Sequence, residues 1–153
     1  YFEKPRWDET SHPELAAEYP LMVTTGARDY TSFHSEHRQL AHMREITPWP
    51  DMEIHPDTAA EYGIENGDWV EVRTPFGAAR EKAHVTDIVD PRVVHMRHGW
   101  WYPEQDGEEP NLFGVWKSNV NELIPHEEIG KLGFGAPYKG VMCTIRKVEG
   151  LDD

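Results

Sequence analysis

Residues Trp69-Val70-Glu71-Val72-Arg73 lead through Thr74 into Pro75-Phe76-Gly77, and Ala79 to Val85 (AREKAHV) follows. The first run alternates inside and outside with period two, the spacing of a half-buried strand. Asn66-Gly67 just before it is a turn signal, and Pro75-Phe76-Gly77 turns the chain back on itself. Residues 69–85 therefore read as a β-hairpin, and the rest of the chain is read around it.

Upstream, Leu21 to Thr25 is a short apolar strand that ends at Gly26, and Met52-Glu53-Ile54 is another. Between them HSEHRQLAHMR (His34 to Arg44) suits a helix, with Ser32 or Ser35 as cap and Thr47-Pro48-Trp49-Pro50 as stop. PDTAAEYG from Pro56 suits a second, brief helix: Pro at the first position, Asp57 in the first turn, Gly63 just past the end. Downstream, Asp90-Pro91 turns into the strand Val93 to Met96, and Val141 to Val148 closes the chain as a last strand. Six or so short strands with small helices between them predict a mainly β fold, a β-barrel with inserted helices. Gly99 to Pro137 is long, irregular and rich in Gly, Pro, Trp and Asn. Its rings, Trp100, Trp101, Phe113 and Trp116, are expected to find burial, which argues against disorder.

Residues 1–18 are polar, contain Pro5 and Pro13, and read as a linker from a preceding region. Residues 19–150 form the domain and 151–153 a tail. The chain starts at Tyr1 and is expected to be a piece of something larger. With 15 Lys+Arg against 28 Asp+Glu, its formal charge of -13 argues against nucleic acid or an anionic membrane as partner. No apolar run reaches membrane-spanning length, so direct membrane insertion is not expected, and no signal-peptide pattern is present. The single Cys143 excludes an internal disulfide and a multi-cysteine zinc site. Cytoplasm and an exported location both stay open.

The polar stretch after the first strand, TTGARDYTSFHSEHR (Thr24 to Arg38), admits two readings. It is either a solvated loop with a capped helix, or a grip for an anion in which Arg binds phosphate and Asp a guanine edge or ribose hydroxyls. Ser35 at a helix start would add free N–H groups to such a grip. His34 and His37, and likewise His95 and His98, are spaced three apart, and each pair could serve a metal. His98-Gly99-Trp100-Trp101 is either a strand exit with core tryptophans or a close backbone approach with a ring to stack on a ligand. Asn119 and Asn121 are helix caps or amide readers of a base; Lys139 is a surface lysine or a phosphate or pterin contact. No Ser/His/Asp motif, phosphate-cradling glycine loop or dinucleotide fingerprint is present.

YPLMVTTGARDYTSFHSEHRQ, IHPDTAAEYGIENGDWVEVRTPFGAAREKAHVT, HMRHGWW, SNVNELI and PYKGVMCTIRKVE occur in that order. Together they resemble the C-terminal molybdopterin dinucleotide-binding domain of the dimethyl sulfoxide reductase family. The GWWYPE and FGVW segments look most like its formate dehydrogenase and acetylene hydratase members. The resemblance implies a double-psi β-barrel that closes over one end of a larger molybdenum or tungsten oxidoreductase subunit. There it helps to hold molybdopterin guanine dinucleotide and does no chemistry alone. By position in those motifs, Arg28, Asp29, His34, Ser35, His98, Trp100, Asn121, Tyr138 and Lys139 contact the dinucleotide. The metal's protein ligand belongs to an earlier domain, so no residue of this chain is expected to be catalytic or to bind the metal. Implied partners are the remaining domains of the same subunit and an iron–sulfur electron-transfer subunit. Two departures stand out: Gly26-Ala27-Arg28 replaces a Gly-Arg pair, and Lys131-Leu132-Gly133-Phe134-Gly135 replaces an Asp-Pro-x-Ser-Gly segment. Two rivals need no resemblance: a self-sufficient metalloenzyme using His34, His37, His95 or His98, and an acidic module that docks a partner subunit.

Overall fold

All the predicted strands form: β1 (Leu21–Ala27), β2 (Asp51–Ile54), β3 (Trp69–Arg73), β4 (Ala78–Val85), β5 (Val93–Arg97) and β6 (Lys139–Val148). This computed structural model describes residues 5–27, 29–130, 135–136 and 139–152. Two candidate site residues, Arg28 and Tyr138, lie outside the described residues, as does the departure at 131–134.

The six strands close in the order β1-β5-β2-β4-β3-β6. The hairpin is there, with β3 antiparallel to β4 and Val70 opposite Glu81. Elsewhere the neighbours are distant in sequence. β5 inserts between β1, to which it is parallel, and β2, to which it is antiparallel. β2 in turn inserts between β5 and its parallel partner β4. The two three-strand units share β5 and β2 and therefore interlock, which is the double-psi arrangement. β6 pairs antiparallel with both β3 and β1 and leaves no free edge.

Alternation along each strand fills the interior. Val23, Met52, Ile54, Val70, Val72, Val94, Met96, Val141 and Cys143 all belong to one buried cluster. Burial pushes the Cys143 thiol well above its ordinary range, so it packs as a small apolar group. The polar exception on β4 is Glu81, fully buried between the inward-facing Ala79 and Ala83.

The expected helix from His34 to Arg44 is corrected. Only α1 (Ala41–Ile46) is helical, and it ends ahead of Pro48 as expected. His34 and His37 have φ of 53° and 75°, left-handed values that a right-handed helix cannot contain. Ser35 is therefore no helix cap, and the anion site at a helix start is not there. α2 (Pro56–Glu61) matches its prediction, with Pro at its start and the His55 ring accepting from the Asp57 N–H at 3.2 Å.

After β5, Trp100 and Tyr102 are buried, and the chain makes two 3-10 segments, Leu112–Lys117 and Val120–Leu123. The expectation that all the rings of this segment are buried also fails: Phe113 and Trp116 stay 42% and 52% exposed. Tyr102 anchors the segment instead, its hydroxyl 2.7 Å from Ser118 Oγ, which donates to the Arg80 carbonyl. Trp7 pairs with Val141 through the backbone and packs edge-on against Phe76.

The topology decides where loops meet. β1 and β5 are parallel, so Ala27 and Arg97 finish at the same end of the barrel. β6 is antiparallel to β1, so it begins at that end, with Lys139 opposite Thr24.

Candidate functional site

At this end lies a cavity of about 480 Å³, lined by Gly26, His34, His98, Asn121 and Lys139 among others. Four of the residues singled out in the sequence thus share one space, although 105 positions separate His34 from Lys139. Each is placed by a local device. Gly26, at φ 107°, bulges β1 between the positions that pair with Met96 and Arg97, as strands at barrel rims often do. A Cβ on Gly26 would stand 3.9 Å from Lys139 Nζ, so the glycine leaves open the space beside the ammonium. Asn121 sits in the Val120–Leu123 turn, where its N–H donates to Asn119 Oδ1 at 3.1 Å. His34 Nδ1 lies 2.7 Å from His98 Nε2, so one ring nitrogen donates, the other accepts, and at least one imidazole is neutral. An ammonium, an imidazole pair and an amide form a donor set for a phosphate-bearing ligand. They show how a chain of charge -13 can present a local anion site.

Asn121 also lines a second cavity, of about 910 Å³, together with Ser35, Gln39, Trp101 and Phe113. Here the surface is aromatic. Trp101 meets Phe113 edge-on at 5.5 Å between ring centroids, and its Nε1 donates to the Ser35 carbonyl at 2.6 Å. Trp100 also lines this cavity but is 1% exposed, with the Arg38 guanidinium 4.0 Å over its ring. The accessible ring at this strand exit is that of Trp101.

Beneath the polar cavity lies a charge network. Asp29 accepts from the Thr31 N–H at 2.8 Å, from Thr31 Oγ1 at 2.6 Å and from Ser32 Oγ at 3.0 Å. Arg97 Nη1 reaches it at 3.0 Å and Arg38 Nη1 at 3.5 Å. Burial works to raise this carboxyl, but the Thr31 and Ser32 donors with Arg97 outweigh it and hold it below its ordinary value. Arg97 also grips Asp51 at the start of β2, and its backbone N–H donates to Glu81 Oε2 at 3.0 Å. Reading the sequence singled out neither Arg97 nor Glu81, and of the Trp100-Trp101 pair it assigned Trp100 to the ligand. Arg97 ends a strand next to the His98-Gly99 exit, the only local signal that could have found it.

Among the described residues no three His, Cys, Asp or Glu side chains group as a metal site. His95 pairs with Glu53 at 2.9 Å, away from His98's partner His34.

A closed double-psi barrel whose mouth gathers cationic and N–H donors beside an aromatic pocket has the chemistry of a module for a nucleotide-bearing cofactor. The chain belongs to the Molydopterin dinucleotide binding domain family, whose pattern matches residues 21–142. It is 51% identical over 110 residues to the dopamine dehydroxylase of Eggerthella lenta, covering 71% of this chain and 10% of that protein. It is 35% identical over 152 residues to the acetylene hydratase of Syntrophotalea acetylenica, covering 94% of this chain and 21% of that protein. The solved acetylene hydratase from Pelobacter acetylenicus superposes with a TM-score of 0.90 at 28% identity, over 97% of this chain and 21% of that one. The chain thus spans about a tenth to a fifth of the length of the relatives it matches.

Proposed function

We propose that this chain is the cofactor-binding domain of a larger molybdenum or tungsten oxidoreductase polypeptide. In this reading Lys139, His34, His98 and Asn121 hold the phosphate-bearing part of molybdopterin guanine dinucleotide. The carrying observation is that these residues, drawn from the β1 exit, the β5 exit, a 3-10 turn and the start of β6, line one cavity. The donor set fits the group, since a phosphate-bearing ligand asks for cationic and N–H donors and these are what the rim offers. When bound, the metal–pterin centre supplies the redox chemistry, while this chain binds, orients and shields the cofactor. The remaining domains of the same polypeptide contribute the metal's protein ligand and select the substrate. An iron–sulfur subunit as electron partner fits the same reading.

Guanosine diphosphate serves as a probe for the nucleotide end. In a titration followed by NMR, the resonances of His34, Asn121 and Lys139 are expected to move together. Lys139→Ala is expected to weaken the probe by about tenfold, the loss of one charge-assisted contact. Shifts confined to other faces of the barrel, or none at all, would overturn the assignment of this cavity.

A further inference from the structure

The loop between β1 and α1 carries two left-handed histidines and no helix, yet one of its residues is among the most buried charges in the molecule. Arg38 is 3% exposed. Its guanidinium covers the face of Trp100, faces Asp29 through Nη1, and donates from Nη2 to the His34 carbonyl at 3.3 Å. The His34–Ser35 peptide is also pressed from another side. Gly99 has φ 71°, and a Cβ there would fall 2.8 Å from the His34 carbonyl carbon and 3.0 Å from the Ser35 nitrogen. One residue further on, Trp101 holds the Ser35 carbonyl. Two contacts therefore clamp the His34–Ser35 peptide and a third holds the peptide that follows, and together they aim the His34 ring at His98.

Asp29 belongs to this clamp and not to the cavity. Its side chain is 9% exposed, and five donor atoms from Thr31, Ser32, Arg38 and Arg97 already surround its two oxygens. A carboxylate so engaged has little left to offer a guanine edge or a ribose. We infer that Arg38, with Asp29 as its counter-charge, is a positioning residue that presets the His34–Ser35 unit for the anion without touching it. The inference rests on the reading of the polar cavity given above, and it reassigns Asp29 from ligand contact to organiser. The groups Arg38 bonds or stacks on, Asp29, His34 and Trp100, lie in the loops that frame the two cavities, while Glu81 and Arg97 on the barrel strands are close enough to feel its charge.

The test compares the chain with its Arg38→Gln and Arg38→Lys variants by amide hydrogen exchange, imidazole nitrogen NMR and guanosine diphosphate titration. In Arg38→Gln the Glu36 amide, which donates to the Phe33 carbonyl across this turn at 2.9 Å, is expected to exchange about tenfold faster and the His34–His98 nitrogen contact to be lost, with β3 amides such as Val70 unchanged. Guanosine diphosphate is expected to bind about tenfold more weakly. Lys keeps the charge opposite Asp29 but cannot also fork to the His34 carbonyl, so Arg38→Lys is expected to fall between the two. If Arg38→Gln does not fold, Arg38→Lys carries the same readouts. A folded variant with unchanged Glu36 exchange and unchanged probe affinity overturns the inference. If exchange rises but the unsubstituted chain gives no response to the probe, the clamp stands and the ligand assignment falls.

Discussion

Two glutamates on paired strands of the barrel wall show how differently one fold can treat the same side chain. Glu71 on β3 and Glu81 on β4 are both buried, at 3% and 0% exposure. Glu71 lies where β3, β4 and β6 meet and is gripped by Arg73, Arg80 and Arg146 at 2.9 to 3.1 Å. Burial alone would raise its carboxyl, but those three guanidinium groups overwhelm the effect and bring it down to about 2. Glu81 faces inward under the rim and accepts one backbone N–H, from Arg97; its Oε1 has no partner among the described residues. There burial wins, and the acid is pushed well above its ordinary value of 4.5. The wall of the barrel has bound its charge securely, while the charge under the mouth is left partly unanswered. Incomplete satisfaction of this kind is typical of regions shaped for a ligand and not for stability.

The largest expected effect tests the secure side. Glu71→Gln leaves three arginines without their shared carboxylate and is expected to cost about 2 to 3 kcal/mol at pH 7. The value sits below the full effect of the shift because Arg73 and Arg146 are half exposed to solvent. The sign follows from the depressed carboxyl: its contribution is present above about 4.5 and is lost as pH falls towards about 2. Urea unfolding from pH 7 to pH 2 should therefore show the two proteins converging in acid. A gap that stays constant across that range would break the contrast.

A smaller effect is expected at the mouth. Arg97 ties Asp29 and Asp51 together, so Arg97→Gln strips a cationic donor from two carboxylates at once. We expect a loss of about 2 kcal/mol at pH 7, measured by urea unfolding. Asp29 keeps its Thr31 and Ser32 donors, and this retained support is why the loss falls short of that at Glu71. An Arg97→Gln variant less stable than Glu71→Gln would reverse the ranking of the two regions.

This contrast also explains what could be read from the amino-acid order. The barrel strands were legible because period-two alternation is local: Val70 and Val72, or Val94 and Met96, announce their face within five residues. The candidate residues His34, His98, Asn121 and Lys139 were each open to two readings from their own chemistry and were assigned to a ligand through resemblance, and the structure brings them to one cavity. Their meeting was not legible from spacing, since it depends on β5 running parallel to β1 and β6 beginning beside them. The helix expected at His34 failed because Gly99, from outside the segment, and Arg38, held within it by Asp29 and Trp100, keep His34 in a conformation that helix propensity does not describe. Arg97 and Glu81 escaped notice for the same reason. Nothing near Glu81 in AREKAHV separates an inward carboxyl from Glu71's outward-clamped one, because the three arginines that distinguish Glu71 lie on β3, β4 and β6.

The smallest effect carries the sharpest sign. The groups that face Glu81 are Arg97, Asp51 and Arg38, with the buried Tyr102 close enough to feel its charge. Burial raises its carboxyl first, the Arg97 N–H opposes this, and Asp51 adds to the rise. Stability from a raised acid is fully present below its unfolded value near 4.5 and drains away as pH climbs through the folded one. Glu81→Gln keeps the size and the acceptor for Arg97 but has no proton to lose. It should match the unsubstituted chain at pH 4 and become more stable by on the order of 1 kcal/mol at pH 8, read by urea unfolding at each pH. The opposite result, a variant weakened at pH 8, would mean that Arg97 and Arg38 hold Glu81 as an anion. The mouth would then be as fully paired as the wall, and the contrast between the two glutamates would vanish.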